Sequence, residues 1–184
     1  VDIIVELAGG YDAPRKWLTQ AIAAGKHVVT ANKALVAKYG TELLPLASQN
    51  NLHFLYEAAV GGGIPIIKSI NESMQANTIK SLSCIINGTC NYILSEMSEK
   101  GSEFDDVLKD AQELGYAEAD PTFDVEGIDA SHKLAILASL ASFKFVDFEK
   151  FAVKGIRGIS KQDIQWASKN NYCIKHLGSM QQDS

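Results

Sequence analysis

The fold is decided by the first ten residues, "VDIIVELAGG" at positions 1–10. They form a short apolar run that ends in two glycines, which is typical of a strand buried on both faces of a parallel sheet. The apolar residues of the run are Val1, Ile3, Ile4, Val5 and Leu7. We therefore predict that this run is a buried strand of a parallel sheet.

The next fifty or so residues alternate between helical and strand patterns. Apolar residues at helical spacing, followed by Gly25, predict a helix over 13–24. A Val-rich run and a second apolar run predict strands, and the helix between them contains Pro45, which should distort it. The two strands are predicted over 26–35 and 52–60, and the helix between them over 39–51. The order β-α-β-α-β implies parallel strands with right-handed crossovers, which is half of a doubly wound nucleotide-binding sheet.

After residue 63 the pattern no longer alternates. It predicts a helix, a strand, two helices, an acidic loop, a buried helix, a strand and a last helix. In order, these are 65–77, 78–87, 88–101, 103–115, 116–127, 128–143, 151–159 and 160–171. Ser102 is predicted to cap the helix that follows it, with Asp105 completing a capping box. This second region is therefore α+β.

Together the patterns predict an α/β protein, with an incomplete Rossmann-type parallel sheet followed by an α+β domain. We assign residues 1–62 to a partial dinucleotide-binding domain, 63–178 to the second domain and 179–184 to a tail. The sequence contains no GxGxxG turn: the glycine cluster Gly61–Gly63 lacks the motif's third glycine, and Pro65 removes an amide donor. We expect the chain to be the interior of a longer protein.

Composition excludes several classes of protein. The 184 residues are 46% hydrophobic and 21% charged, which is ordinary for a globular protein. The net charge of −5 and the lack of a basic run argue against nucleic acid as a partner. The longest apolar stretch, 134–143, is too short to span a membrane, and no signal peptide is recognised. Cys84, Cys90 and Cys173 lack CxxC spacing, so we expect reduced thiols in a cytoplasmic protein.

Asp129 and Lys133 stand four residues apart at the start of the most apolar predicted helix. This spacing places both side chains on one helix face. They could form an exposed ion pair that contributes roughly a few tenths of a kcal/mol. They could instead be an acid/base lysine and the carboxylate that orients it. The apolar flanks favour the second interpretation, because a helix that is apolar nearly all round is buried. His132 is interpreted as a packing or cap residue.

Three other places carry polar residues where ligands often bind. Lys33 follows a strand end, although an isolated lysine is more often solvated. Glu57 precedes the three glycines, where it could bind a cation with backbone carbonyls or pair with a base at an interdomain hinge. Asn87-Gly88-Thr89 lies between a strand and a helix, where a helix cap is the simpler interpretation.

The acidic loop 116–127 allows three interpretations. It could be a solvated loop, a metal cluster or a site for a ligand ammonium group. An EF-hand is excluded, because the spacing after Asp120 places a threonine and a late glycine at the wrong positions. The acidic residues of this loop are Glu118, Asp120, Asp124 and Glu126.

Six stretches in chain order resemble homoserine dehydrogenase. They are "VELAGG" (5–10), "GKHVVTANKALVAKYG" (25–40), "YEAAVGGGIPII" (56–67), "INGTCNYIL" (86–94), "ELGYAEADPTFDVEGIDASHK" (113–133) and "GIRGISKQDIQWA" (155–167). The resemblance implies reversible oxidation of L-homoserine to L-aspartate 4-semialdehyde with NAD or NADP, on the aspartate pathway to threonine and methionine. It also implies a homodimer, formed through a substrate and dimerisation domain.

The resemblance implies which residues handle the substrate. Lys133 falls on the family's acid/base lysine, and Asp129 would orient it. Glu118 and Asp129 fall on the carboxylates that hold the substrate. Asn87, Gly88 and Thr89 match the turn that lines the substrate cleft.

The resemblance also implies cofactor and cation contacts. Lys33 falls on the lysine that contacts both nicotinamide and substrate. Ala8 and Gly9 fall where the backbone touches the cofactor, although the family often has a hydroxyl residue at the first position. The family's sodium site maps to the carboxylate of Glu57 and to the carbonyl groups of Val60, Gly62 and Ile64.

Rival interpretations stay open at this point. The chain could be a substrate-binding domain without catalytic competence, or part of a related amino-acid semialdehyde dehydrogenase. A metal-dependent enzyme built on the acidic loop is a third interpretation. The residue that selects NAD or NADP is expected outside this chain.

Overall fold

The computed structural model describes residues 1–182, and it divides into two compact units. The first unit contains residues 1–82, 132–151 and the described residues from Met180 onward. The second unit contains residues 83–131 and 152–179. The domain boundary predicted between residues 62 and 63 stays a prediction.

The first unit is built on a parallel sheet of three strands in the order β1-β2-β3. The strands are β1 (Ile3–Glu6), β2 (His27–Thr30) and β3 (Phe54–Leu55). The register aligns the last residues of β1 and β2, so that Glu6 lies beside Thr30. The predicted α/β class and parallel sheet are therefore confirmed.

The two crossover helices are α1 (Asp12–Ala23) and α2 (Lys33–Gln49). α2 begins earlier than predicted, because the side chain of Asn32 accepts a hydrogen bond from the Leu35 amide and caps the helix. The helix also continues through Pro45.

The helices and the sheet share one apolar core. Its buried members are Leu18, Ala21, Ile22, Val28, Leu35, Leu43 and Ala47. Burial of β1 on both faces was predicted, but Ile3 and Val5 are 52% and 59% exposed. The reason is that successive right-handed crossovers advancing in one direction place both helices on the same face of the sheet.

The segment after β2 and α2 is less regular than predicted. The strand predicted over 52–60 is only β3, and a 3₁₀ turn at Glu57–Ala59 follows it. The helix predicted over 65–77 is α3 (Ile66–Lys68), continued by a π-helical turn at Ser69–Ser73.

Four helices lie wholly within the described residues of the second unit. They are α4 (Gly88–Lys100), α5 (Phe104–Glu113), α6 (Thr122–Val125) and α8 (Lys161–Lys169). α4 ends, as predicted, at Gly101, which has a positive φ of 63°. The core between them includes Ile93, Leu94, Met97, Phe104, Val107, Val125 and Ile164.

α7 (Ile128–Ser142) is the buried helix predicted over 128–143. Its middle residues Ala135, Ile136, Leu137 and Ala138 are 4% exposed or less. The division into units falls within this helix, between Ser131 and His132. Across residues 1–182, no helix combines the length and the apolar character that a bilayer crossing requires.

Two predictions in the second unit are wrong. Ser102 does not cap α5, because the helix begins one residue later, after Glu103, whose side chain makes no capping bond. Acidic residues in the first turn complement the helix dipole instead. The strand predicted over 151–159 does not form. The segment turns at Arg157 and Gly158, and the amide of Ile156 donates to the Val125 carbonyl at 2.8 Å.

A second sheet includes residues of the segment predicted as a tail, 179–184, and that domain assignment stays a prediction. β5 (Gly178–Gln181) pairs with β4 (Ser81–Cys84) in a sheet of two strands. The amide of Gln182 donates to the Lys80 carbonyl at 2.9 Å. Backbone pairing needs no apolar pattern, so the composition of this segment did not predict it. Residues 183 and 184 lie outside the described residues.

Candidate functional site

A ring of hydrogen bonds joins the turns that follow β1 and β2. Glu6, only 4% exposed, accepts the amides of Ala8 at 2.8 Å and Gly9 at 3.2 Å on one carboxylate oxygen. Its other oxygen accepts the Thr30 hydroxyl at 2.6 Å. Three donors thus compensate the burial of one carboxylate.

The ring closes through the start of α2. The Thr30 hydroxyl accepts the amide of Asn32 at 3.0 Å, and the Asn32 side-chain amide donates to the Gly10 carbonyl at 2.8 Å. We call Glu6, Thr30, Asn32 and the backbone of residues 8–10 the Glu6 ring. It fixes the first turn against the second.

The predicted cofactor residues Ala8 and Gly9 lie in the first of these turns and are exposed. Gly9 and Gly10 have positive φ angles of 73° and 77°, and no heavy atom lies within 4 Å of where a Cβ would stand on either. The turn therefore presents an open backbone surface. It lies at the carboxyl end of a parallel strand, where open α/β sheets bind ligands.

Lys33 is the first residue of α2 and is half-buried. It follows Asn32 directly, so the Glu6 ring also determines where the lysine begins. A cation at a helix N-terminus is unfavourable in the field of the helix dipole. Helix stability therefore does not explain a lysine at this position.

Glu57 acts in the structure as the cap of a short helix. Its two carboxylate oxygens accept the amides of Ile67 at 2.9 Å and Lys68 at 2.8 Å. The carbonyl of Ile64 accepts the Ile66 amide at 2.8 Å. Carboxylate and carbonyl oxygens suit a hard cation and keep further lone pairs after such bonds. The sodium site at Glu57, Val60, Gly62 and Ile64 stays a prediction.

In the second unit one amide holds two carboxylates. The side-chain nitrogen of Asn87 donates to Asp124 at 2.6 Å and to Asp129 at 2.9 Å. The Asn87 oxygen accepts the Cys90 amide at 2.8 Å and caps α4. The predicted cap is therefore present, and the same residue also gathers acidic side chains.

Thr89 extends this group. Its hydroxyl lies 3.1 Å from the second oxygen of Asp124 and 2.9 Å from the Tyr116 carbonyl. We call Asn87, Thr89, Asp124 and Asp129 the Asn87 cluster. Asn87 and Asp129 are both 4% exposed, so two acidic side chains meet at a largely buried polar site.

Lys133 follows Asp129 by one turn of α7 and is half-buried. A fully exposed surface pair is therefore excluded by the burial of Asp129. His132 is 1% exposed, and its ring meets the edge of Phe148 at 4.4 Å between centroids. The histidine is a packing residue.

Glu118, the other predicted substrate carboxylate, is exposed near the start of the acidic loop. Its backbone carbonyl accepts a hydrogen bond from the side chain of Gln112 at 3.0 Å. Its role stays a prediction.

The other acidic residues of the loop have separate partners. Asp120 accepts hydrogen bonds from Thr122, which lower the pKa of the Asp120 carboxyl. Glu126 pairs with Arg157 at 2.9 Å. Throughout the described chain, no three His, Cys, Asp or Glu side chains are grouped to hold a metal ion.

Two family models match consecutive stretches of the chain. Residues 1–57 match the NAD binding domain of homoserine dehydrogenase, and residues 65–183 match homoserine dehydrogenase itself. The chain belongs to the homoserine dehydrogenase family.

Individual relatives agree with the family models. The homoserine dehydrogenase of Neisseria gonorrhoeae is 54% identical over 178 residues, which are 97% of this chain and 41% of the relative. That of Bacillus subtilis is 45% identical over 183 residues, which are 100% of this chain and 42% of the relative. The chain therefore spans less than half the length of these curated relatives.

Solved structures give the same picture. A homoserine dehydrogenase from Thiobacillus denitrificans superposes with a TM-score of 0.97 at 54% identity, covering 100% of this chain and 43% of that one. A hyperthermophilic archaeal homoserine dehydrogenase in complex with NADPH superposes with a TM-score of 0.83 at 29% identity, covering 97% and 52%. The fold of this chain thus matches homoserine dehydrogenase structures, which have a Rossmann-like NAD-binding domain and a catalytic domain.

Sequence reasoning missed three residues of these networks. Glu6 and Thr30 end adjacent strands, and Asp124 was only one of several acids in a loop. A signal existed for Glu6, because a charged residue inside an apolar strand is rarely buried without partners. No local signal pointed to Asp124, whose partners are 37 and 35 residues away in the sequence.

Proposed function

We propose that the protein containing this chain oxidises L-homoserine reversibly to L-aspartate 4-semialdehyde, using NAD or NADP. The observation that carries the proposal is the Asn87 cluster in a member of the homoserine dehydrogenase family. It places two acidic side chains together, and one of them lies a turn before Lys133 on α7.

The proposed roles follow from the charges of the substrate. Homoserine carries an ammonium group, a carboxylate and a hydroxyl group. Carboxylates at Asp129 and Glu118 complement the ammonium group and orient the substrate, which removes entropy before the reaction. The hydroxyl group must lose a proton on oxidation, and the carbonyl oxygen must gain one in reverse.

Lys133 is the proposed acid/base residue for that proton. A lysine amine has both the reach and the chemistry for proton transfer when it is partly removed from water. Asp129, one turn earlier on the same helix, would orient it.

The proposed cofactor contacts lie at the turns after β1 and β2. The open surface beside Gly9 and Gly10 and the adjacent Lys33 fit the nicotinamide end of a dinucleotide. The cofactor supplies the hydride acceptor for the reaction. This chain's part is to hold the turn through the Glu6 ring and to place Lys33 beside it. A sodium ion near Glu57 belongs to the same proposal.

Further parts of the proposal concern the setting. We place the reaction in the cytoplasm, as a step of the aspartate pathway to threonine and methionine, and the protein as a homodimer. The three cysteines are free thiols, which suits a reducing compartment.

The test is a steady-state assay on a full-length version of the protein. Oxidation of NADPH in the presence of aspartate semialdehyde is expected for the wild type. In Lys133→Ala, turnover should fall about 10²-fold or more, the contribution typical of a general acid/base. The matched control is Lys169→Ala, which removes an exposed lysine at the end of α8 and should leave turnover unchanged.

Two outcomes would contradict the proposal. Near-normal turnover in Lys133→Ala would remove the acid/base assignment. Faster turnover on another amino-acid semialdehyde than on aspartate semialdehyde would change the substrate.

A further inference from the structure

The Glu6 carboxylate is the centre of a network that the proposed reaction does not itself use. It accepts three hydrogen bonds, shared between its two oxygens. Two of its donors are backbone amides of the turn that bears Ala8 and Gly9. A carboxylate 4% exposed is costly to bury, so its place in the strand calls for an explanation beyond packing.

The bonds to Glu6 decide what the turn can offer a ligand. Backbone amides in a glycine-rich turn are commonly anion-binding groups. Here the amides of Ala8 and Gly9 both point at Glu6, so they are occupied by the protein's own carboxylate. A phosphate at the same place would meet a negative charge. The turn therefore offers a ligand its open glycine backbone rather than these two amides.

The same ring couples the turn to α2. Thr30 links Glu6 to the amide of Asn32, and Asn32 links back to the carbonyl of Gly10. Lys33 follows Asn32 in the chain, so a displacement of the first turn is transmitted to the lysine. Each bond is between 2.6 and 3.0 Å, and Glu6, Thr30 and Asn32 are all less than 9% exposed.

We infer that Glu6 is a positioning residue for cofactor binding: it holds the turn at residues 8–10 in register with Lys33 through Thr30 and Asn32. The inference rests on the proposed function for its kinetic consequence. Its structural consequence, protection of the Ala8 and Gly9 amides, is independent of any activity.

The experiment compares Glu6→Ala, Glu6→Gln and Thr30→Val in a full-length version of the protein. Glu6→Ala removes three hydrogen bonds to a charged group, so KM for NADPH should rise at least about tenfold, with a smaller change in KM for aspartate semialdehyde. Glu6→Gln keeps one oxygen for the two amides and should restore most of the affinity. Thr30→Val keeps the shape of the side chain but breaks the link to α2, and its KM should lie between those of the other two.

A second measurement does not depend on catalysis. Residue-resolved hydrogen exchange should show the Ala8 and Gly9 amides protected in the wild type and in Glu6→Gln, and exposed in Glu6→Ala. The control for lost stability is Val28→Ala, a buried position on the same strand as Thr30. It should lower the melting temperature and leave KM for NADPH unchanged.

The outcomes separate the two proposals. A wild type without activity contradicts the proposed function, while the exchange data still test the ring. An active wild type whose Glu6→Ala and Glu6→Gln variants both keep the normal KM for NADPH overturns the inference. If Glu6→Ala fails to fold, Thr30→Val and Glu6→Gln provide the test. Values of KM for NADPH equal to that of the wild type in both variants would overturn the inference.

Discussion

The Glu6 ring and the Asn87 cluster both gather polar side chains beside the end of a strand, but they balance donors and acceptors differently. In the ring, one carboxylate accepts three hydrogen bonds, two of them from backbone amides. In the cluster, one side-chain amide donates to two carboxylates. The ring therefore bonds its carboxylate mainly to the backbone, while the cluster brings two carboxylates to one side-chain amide.

The difference separates two kinds of polar site. A carboxylate surrounded by backbone donors fixes the backbone, and its removal should change where a loop lies. Two carboxylates sharing one amide suit a positively charged group, such as a substrate ammonium or a lysine. The first kind is expected to act on binding through position, and the second to act on the substrate directly.

The largest expected effect comes from a steric clash with the backbone that directly follows Asp124 of the Asn87 cluster. In Gly155→Ala, the new Cβ would overlap the Val125 carbonyl oxygen and stand 2.6 Å from the Glu126 Cα. Backbone atoms cannot move aside cheaply, so the free energy of unfolding should fall by about 3 kcal/mol or more. Because Asp124 precedes Val125, activity should fall as well. Denaturant unfolding and the NADPH assay measure both.

The matched control is Gly158→Ala in the same segment, where no heavy atom lies within 4 Å of the new Cβ. Its unfolding free energy should change by less than about 0.5 kcal/mol, as for an ordinary surface substitution. Equal stability of the two variants would show that the segment bearing Gly155 does not support the cluster.

The sequence predicted the order of elements well in both regions and the networks poorly. Periodicity identified β1, α1, β2, α4, α7 and α8 because each has its own local pattern. The strand predicted over 151–159 failed because an apolar run forms a strand only with a partner strand, and the described residues of this segment pair with none. At β5 no strand was predicted, because its residues are largely polar and pair through the backbone.

The candidate site divides in the same way. Asp129 and Lys133 could be found because both stand on one helix at a spacing of four residues. Asp124 could not be distinguished from the other acids of its loop, because only the fold brings Asn87 and Thr89 to it. Glu6 could be noticed as a charge in an apolar strand. Its hydrogen bond to Thr30, however, depends on the strand register that places the two residues side by side.

The next largest effect should come from replacing the Asn87 side-chain amide, which bonds both carboxylates of the cluster, with a carboxylate. Asn87→Asp keeps the oxygen that caps the Cys90 amide but replaces the NH₂ group with a third acceptor. Asp124 and Asp129 lose their bonds to it and meet another negative charge, so unfolding free energy at pH 7 should fall by about 2 kcal/mol. Protonation at lower pH restores a donor and relieves the repulsion, so the deficit should shrink as the pH falls.

The control for Asn87→Asp is Asn91→Asp, one turn later in α4. It adds the same charge, but the side chain there lies 3.4 Å from the Nζ of Lys175, which is a favourable partner. Its stability should stay within about 0.5 kcal/mol of the wild type. A pH-independent deficit in Asn87→Asp would contradict the view that charge repulsion causes the loss of stability.

The smallest effect is expected from the capping box of α8. This polar network neither positions the cofactor turn nor contacts the proposed substrate site. Ser160 and Asp163 exchange hydrogen bonds, and the pKa of the Asp163 carboxyl is lowered by the Ser160 hydroxyl and then by the Ser160 amide. A lowered pKa means that the stabilisation is present above the ordinary value for Asp and is lost as the pH falls through the lowered one. Ser160→Ala removes the cap, so the unfolding free energy should fall by about 1 kcal/mol at pH 7. The deficit should narrow below about pH 4, where ordinary carboxyls protonate.

Because the box touches neither the Glu6 ring nor the Asn87 cluster, turnover and both KM values should stay unchanged in the NADPH assay. A change in KM comparable to that of Glu6→Ala would mean that general loosening of the chain, rather than position, controls cofactor binding.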